Sequence, residues 1–249
     1  MLENNKIYLG DCLEVMKDID NNSIDLFLTD PPYKIIAGGI SLKDNGNECS
    51  GVLGRYVSDV PTYVKQGKMF THNDIKFAEW LPDVFRVLKD GSHCYIMTND
   101  RNIQELLNEA TKVGFKLLNI LVWSKNNATP NKYYMKSAEF ILFFRKGFAK
   151  SINDMGTKTV LNVNNIIGNK VHPSEKPIDL LKILIENSSK EGEIVLDCFA
   201  GSGNTCKTSK ELKRNFIGIE IDPIYYEISA RSVQDQYESD KSVSIDELF

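Results

Sequence analysis

Short apolar runs, rich in β-branched and aromatic residues, recur along the chain and alternate with segments whose apolar residues return about every three to four positions. The runs predict strands at Ile7–Leu9, Asp25–Thr29, His93–Thr98, Leu117–Trp123, Glu139–Arg145, Ile194–Cys198 and Phe216–Glu220. The spaced segments predict helices at Leu13–Lys17, Ile75–Leu88, Asn102–Val113, Pro177–Ser188, Asn204–Lys213 and Pro223–Gln236. Pro177 suits a first helical turn, and Gly91 and Gly114 stand where two of these helices should stop. Strands alternating with helices predict an α/β fold: a mostly parallel sheet with helices on both faces.

The alternation breaks once. Between Trp123 and Glu139 the segment SKNNATPNKYYMKSA has no helical period, so its flanking strands are expected to pair antiparallel at a sheet edge. Two further segments are expected to lie outside the sheet. Residues 36–73 carry six glycines and read as a long loop, and Lys146 to Val171 is polar and basic with five asparagines.

Composition narrows the class. With 249 residues, 42% of them hydrophobic, the chain can bury a complete core. No apolar run reaches membrane-spanning length, and the first residues lack a leader pattern. Five cysteines form no CxxC pair, and their odd count argues against a disulfide framework, so a cytoplasmic protein is expected. Three isolated histidines give no zinc-ligand spacing, so no metal site is expected.

The net charge of −4 hides an asymmetry. From Lys112 to Lys170 there are ten Lys and Arg against two acids, Glu139 and Asp154, whereas Glu220 to Phe249 holds eight acids against Arg231 and Lys241. A locally positive face can attract a polyanion although the whole molecule is acidic.

Two motifs carry candidate chemistry. In LFLTDPPYKI an apolar strand ends on Asp30, Pro31, Pro32 and Tyr33. Proline fixes φ and lacks an N–H, so such a tetrapeptide ordinarily just ends a strand. In EIVLDCFAGSGNT a buried strand meets an acid, a glycine turn and then a helix, the arrangement that binds ligands at the carboxyl edge of an open α/β sheet. Gly201 and Gly203 would let backbone approach a ligand, and Glu220, at the end of the next strand, can accept from two ribose hydroxyls. Cys206 occupies the third glycine position of the dinucleotide fingerprint, which counts against an NAD-dependent oxidoreductase. Asp197, ahead of the glycines, would repel a pyrophosphate but suits an ammonium. Ribose, adenine and a cationic amino-acid portion without phosphate describe S-adenosylmethionine.

TDPPY together with DCFAGSGNT, and HPSEKP just before the latter, resembles the DNA amino-methyltransferases, which methylate exocyclic nitrogens of adenine or cytosine. With the DPPY-type motif early and the glycine turn late, the order is that of their permuted β group. GDCLEVMKDI, FAEWLPDVFRVLKDG, VWSKNN and SAEFILFFRKG extend the resemblance over most of residues 6–146 and 171–236. It implies a seven-stranded, circularly permuted methyltransferase sheet in one catalytic domain, 1–249, with the glycine-rich loop 36–73 and a basic target-recognition segment, 146–171, as insertions.

Carried onto this chain, the resemblance implies that Phe199, Gly201, Gly203 and Thr205 shape the cofactor turn. Asp197 would face the methionine ammonium, Glu220 the ribose, Asp11 the adenine edge with Asp222 and Pro223 close by, and Lys176 the cofactor carboxylate. Asp30 and the Pro31 carbonyl would accept from the two N–H bonds of a flipped base stacked on Tyr33. Lys125, Lys132, Lys136, Arg145, Lys146, Lys150 and Lys158 would line the phosphate path of double-stranded DNA. Aspartate at the first position of the tetrapeptide is commoner among adenine N6 enzymes than cytosine N4 enzymes, so adenine is the expected target. A homodimer and a cognate restriction endonuclease are the partners the family suggests. The competing readings are cytosine N4 methylation and a non-catalytic cofactor-binding recognition subunit.

Overall fold

The computed structural model describes residues 2–32, 75–130, 133–148, 150–166 and 175–234. The glycine-rich loop, Tyr33, Lys132 and the acidic tail therefore lie outside the described residues.

Eight strands form one sheet in the order β1-β8-β7-β2-β3-β5-β4-β6. They are β1 (Lys6–Leu9), β2 (Ile24–Thr29), β3 (Leu88–Thr98), β4 (Lys116–Thr129), β5 (Lys136–Arg145), β6 (Val160–Asn162), β7 (Ile194–Asp197) and β8 (Asn215–Glu220). The helices are α1 (Cys12–Val15), α2 (Phe77–Val87), α3 (Ile103–Val113), α4 (Ile178–Ser188), α5 (Asn204–Glu211) and α6 (Pro223–Ser232). Pairing is parallel from β1 to β3, and β5 runs antiparallel to both β3 and β4.

The sheet is covered on both faces because its apolar residues alternate. On β2, β3 and β5 the residues Phe27, Cys94, Ile96, Leu142 and Phe144 enter the core beneath α1, α2 and α3. Their neighbours Leu26, Leu28, Tyr95, Met97, Ile141 and Phe143 enter the other core, with Leu180, Leu181, Leu184 and Ile185 of α4. A period of two with both sets buried is what a central strand of a doubly covered sheet requires. Trp80 of α2 is fully buried and meets Phe27, Phe77 and Phe199 at ring separations of 6.0, 6.0 and 5.4 Å, joining the helix to the glycine turn after β7.

The expected fold class holds, with local departures. The sheet has one strand more than anticipated, because Val160–Asn162, within the segment expected to lie outside it, pairs parallel with β4 and becomes the edge. Leu161 of that strand is buried beside Trp123, and the indole Nε1 donates to the Val163 carbonyl at 2.8 Å. A polar, asparagine-rich segment thus joins the sheet through one leucine and its backbone. Gly114 does close its helix, with φ +116°, whereas the helix before Gly91 ends at Leu88, which opens β3 directly. Among the described residues no helix is long and apolar enough to cross a membrane, and no metal-binding cluster of His, Cys, Asp or Glu forms.

Candidate active site at the carboxyl edge of the sheet

β7 and β2 lie side by side and parallel at the centre of the sheet. The chain leaving β7 continues through α5 to β8 on one side, while the chain leaving β2 reaches β3 on the other. Such a reversal opens a crevice at the carboxyl ends of the two strands. Both sequence motifs end there.

Asp197, the last residue of β7, is buried. It accepts from the Thr29 hydroxyl at 2.6 Å and from the Phe199 N–H at 3.1 Å, with Thr205 also bonding to it. Burial pushes its carboxyl up to about 6; these three donors pull against the shift, and the nearby charge of Asp30 adds to it. The Thr29 bond stitches the two motifs together across the crevice.

The turn after Asp197 is held by Glu220 at the end of β8. One Glu220 oxygen accepts from the Gly201 N–H at 2.7 Å and the other from the Asp222 N–H at 2.9 Å. A carboxylate offers about four acceptor positions, so two remain for a ligand. Burial raises the Glu220 carboxyl above its ordinary range, opposed by those two N–H donors.

Gly201 (φ +53°) and Gly203 (φ +80°) both take the left-handed conformation. At Gly203 a Cβ would stand 2.9 Å from Ser229 Cβ and 3.0 Å from Ser229 Cα, so this glycine also serves the packing of α5 against α6. Asp11 caps α1, accepting from the Leu13 N–H at 2.9 Å, and Asp222 caps α6, accepting from the Ile224 N–H at 2.8 Å with Pro223 in the first turn. The caps stand side by side because β1 and β8 are paired, with Leu9 opposite Glu220.

Asp30 begins the second half of the site. Its Oδ2 accepts from Lys176 Nζ, while its Oδ1 is buried with no hydrogen-bond partner among the described residues. Lys176 Nζ also lies 3.5 Å from Glu139 Oε2, and Lys125 bonds the other Glu139 oxygen while standing 4.9 Å over the Trp123 ring. The result is an alternating row of charges, Lys125, Glu139, Lys176 and Asp30, running from the β4–β5 hairpin to the end of β2. Burial raises the Asp30 carboxyl, the Lys176 charge pulls it back, and Glu139 pushes it up again. Burial acts on Glu139 too, but Lys176 and Lys125 outweigh it and hold that carboxyl below its ordinary range. Asn204 Nδ2, at the start of α5, donates to Glu175 Oε1 and to the Lys176 carbonyl, each at 3.0 Å, tying the segment that carries Lys176 to the glycine turn.

Lys176, which the resemblance assigns to the cofactor carboxylate, meets Asp30 and Glu139. Glu139, Thr29 and Asn204 were not singled out by their motifs. The signal for Glu139 was its rarity, as one of two acids among ten basic residues.

The basic residues do not share one surface. Lys125 and Lys136 lie toward the carboxyl edge, with Lys136 pairing Asp100 at 2.7 Å. Arg145 lies opposite His93 at the other end of β5, about 20 Å from Glu139 by strand rise. Lys150, beside that end, pairs Glu193 at 3.3 Å. Lys146 departs furthest from a phosphate contact. It is buried, donates to the Leu88 carbonyl and Asn22 Oδ1, each at 2.7 Å, and lies 4.9 Å over the Phe85 ring. Lys158 is exposed just before β6.

The chain is similar to known DNA methylases. A family model for DNA methylases matches residues 24–231. The Type II methyltransferase M.HinfI of Haemophilus influenzae is 30% identical over 255 aligned residues, spanning 93% of this chain and 68% of that protein. The structure of M1.HpyAVI in complex with SAM superposes with a TM-score of 0.64 at 24% identity, covering 90% of this chain and 97% of that one. PvuII DNA methyltransferase, cytosine-N4-specific, gives 0.69 at 17% identity, covering 100% and 91%. Family and fold together define an S-adenosylmethionine-dependent DNA methyltransferase. The chain belongs to the DNA methylase family of N6/N4 amino-methyltransferases.

Proposed function

We propose that this enzyme transfers a methyl group from S-adenosylmethionine to the N6 amine of an adenine flipped out of double-stranded DNA. The observation that carries the reading is Asp30, the aspartate that opens DPPY, with its Oδ1 buried and without a partner among the described residues. An exocyclic amine is a donor twice over, and an unpaired buried acceptor is costly unless a donor meets it.

The residues present fit the cofactor. In this reading Asp197, buried at the end of β7, would receive the ammonium, the remaining Glu220 acceptor positions the ribose hydroxyls, and the capping carboxylates of Asp11 and Asp222 the adenine. Phe199, packed on Trp80, and Thr205, bonded to Asp197, fix the shape of the turn around Gly201. When bound, the cofactor supplies a methyl carbon made electrophilic by the sulfonium.

The amine of adenine is a poor nucleophile because its lone pair is delocalised into the ring. Asp30 Oδ1 accepts from one N–H and the Pro31 carbonyl from the other, which favours a tetrahedral nitrogen with its lone pair directed outward. The prolines hold that carbonyl by fixing φ at two successive positions. Transfer to the amine held by Asp30 and Pro31 would form the N–C bond as the sulfonium C–S bond breaks, its electron pair staying on sulfur. The nitrogen would then carry the positive charge and release one proton, which the Asp30 carboxylate could accept. Direct displacement needs no covalent enzyme intermediate, and positioning supplies much of the rate.

The test is incubation with labelled S-adenosylmethionine and duplex DNA, followed by hydrolysis to nucleosides. The expected product is N6-methyldeoxyadenosine; label in N4-methyldeoxycytidine alone overturns the choice of base. Asp30→Ala is expected to abolish transfer while cofactor binding, followed by calorimetry, persists.

A further inference from the structure

Building on the amino-methyltransferase reading above, we infer that Lys176, held in place by Glu139 and Lys125, is a positioning residue for Asp30, tying one carboxylate oxygen so that the other faces the target amine.

The geometry separates the two oxygens of Asp30. Oδ2 is tied to Lys176 Nζ, and Oδ1 is buried without a partner among the described residues. A carboxylate free to rotate presents either oxygen; one tied at Oδ2 presents only Oδ1. Lys176 is itself almost fully buried, and a long flexible ammonium needs opposite charges on more than one side to hold a single position. Glu139 supplies the second charge at 3.5 Å, and Lys125 holds Glu139 from its far side over the Trp123 ring. Each member comes from a different part of the fold: the end of β2, the entry to α4, β5 and β4.

Among the described residues, the charges facing Asp30 are Lys176, Glu139, Lys125 and the neighbouring Asp197. Lys176 favours the ionised carboxylate, Glu139 disfavours it, and burial disfavours it most. Ionised Asp30 is the form that accepts from the amine, so activity should fall as pH drops through its titration. The two neighbours must therefore move this limb in opposite directions, which no loss of packing would do.

The experiment measures the pH dependence of kcat/KM for whichever base the wild-type enzyme methylates, in Lys176→Met, Lys176→Arg and Glu139→Gln. Lys176→Met is expected to move the acid limb to higher pH by about one unit or more, the usual size of a close charge effect. Glu139→Gln is expected to move it to lower pH, and Lys176→Arg, which keeps the charge, to return it toward the wild-type position. The carbon-13 titration of the Asp30 carboxyl in the unliganded protein, assigned with Asp30→Asn, should shift in the same senses. That titration needs no turnover, so an inactive wild-type protein would sink the methyl-transfer reading and still leave the charge row to be measured. If the acid limb and the titration stay fixed while Lys176→Met loses cofactor affinity, Lys176 serves the cofactor carboxylate and the inference is overturned. Shifts of the same sign in Lys176→Met and Glu139→Gln overturn it as well.

Discussion

Asp197 ties the ends of two strands together through one buried carboxyl. Its carboxyl sits at about 6 because burial outweighs the hydrogen bonds from Thr29, Thr205 and the Phe199 N–H. Raised from 3.8, it is neutral below about pH 6 and ionised above, the reverse of a carboxylate stabilised by a cation. If Asp197 faces the cofactor ammonium, affinity for S-adenosylmethionine falls as pH drops through 6, by at most about tenfold per unit. Calorimetric titrations between about pH 5 and 7.5 measure this, and Asp197→Asn should bind more weakly at the upper end and lose most of the dependence. An affinity that stays flat in the wild-type protein removes Asp197 from the ammonium.

At the scale of elements, the start of α5 is where turn, helix and neighbouring helix are built together. Gly203 has φ +80°, and Ser229 of α6 fills the space a side chain would need. Gly203→Ala therefore combines left-handed strain with overpacking against backbone, a cost of about 2–4 kcal/mol. Urea unfolding should show that loss, with a parallel fall in cofactor affinity because Gly201 and Asn204 share the turn. A change below roughly 0.5 kcal/mol would mean that α6 does not hold this position. The glycine turn and its strand were legible in the sequence because a buried run, an acid and two glycines are local features. The second duty of Gly203 was not, since Ser229 lies far along the chain and only packing brings it near.

The whole molecule has two ends, and the basic residues are divided between them. Lys125 and Lys136 lie toward the edge that holds Asp30, Asp197 and Glu220, while Arg145, Lys146 and Lys150 lie toward the other. A duplex delivering a base to Asp30 should meet the first group. Lys136→Ala is expected to reduce the slope of log affinity against log salt by about 0.9, the share of one phosphate contact, while Arg145→Ala leaves it unchanged. Lys146→Met should also leave the slope unchanged but destabilise the fold by about 1–3 kcal/mol, because the Leu88 carbonyl and Asn22 lose their donor. Equal slope changes at Lys136 and Arg145 would place the DNA along the sheet rather than across its carboxyl edge.

The sequence by itself determined the α/β class, the strand and helix spacing, the cofactor and the two motifs, because each is written in neighbouring residues through periodicity, turn chemistry and charge. It also determined that β4 and β5 pair antiparallel, since no helix separates them. The tertiary structure alone decided which charges meet. Lys176 and Asp30 are 146 positions apart, and Thr29 and Asp197 168 apart, yet both pairs are in contact because β2 lies beside β7. It likewise buried Lys146, which composition counts as one more surface cation, and drew Val160–Asn162 into the sheet. Local pattern fixes what each segment becomes, while sheet order and register fix which segments share an edge.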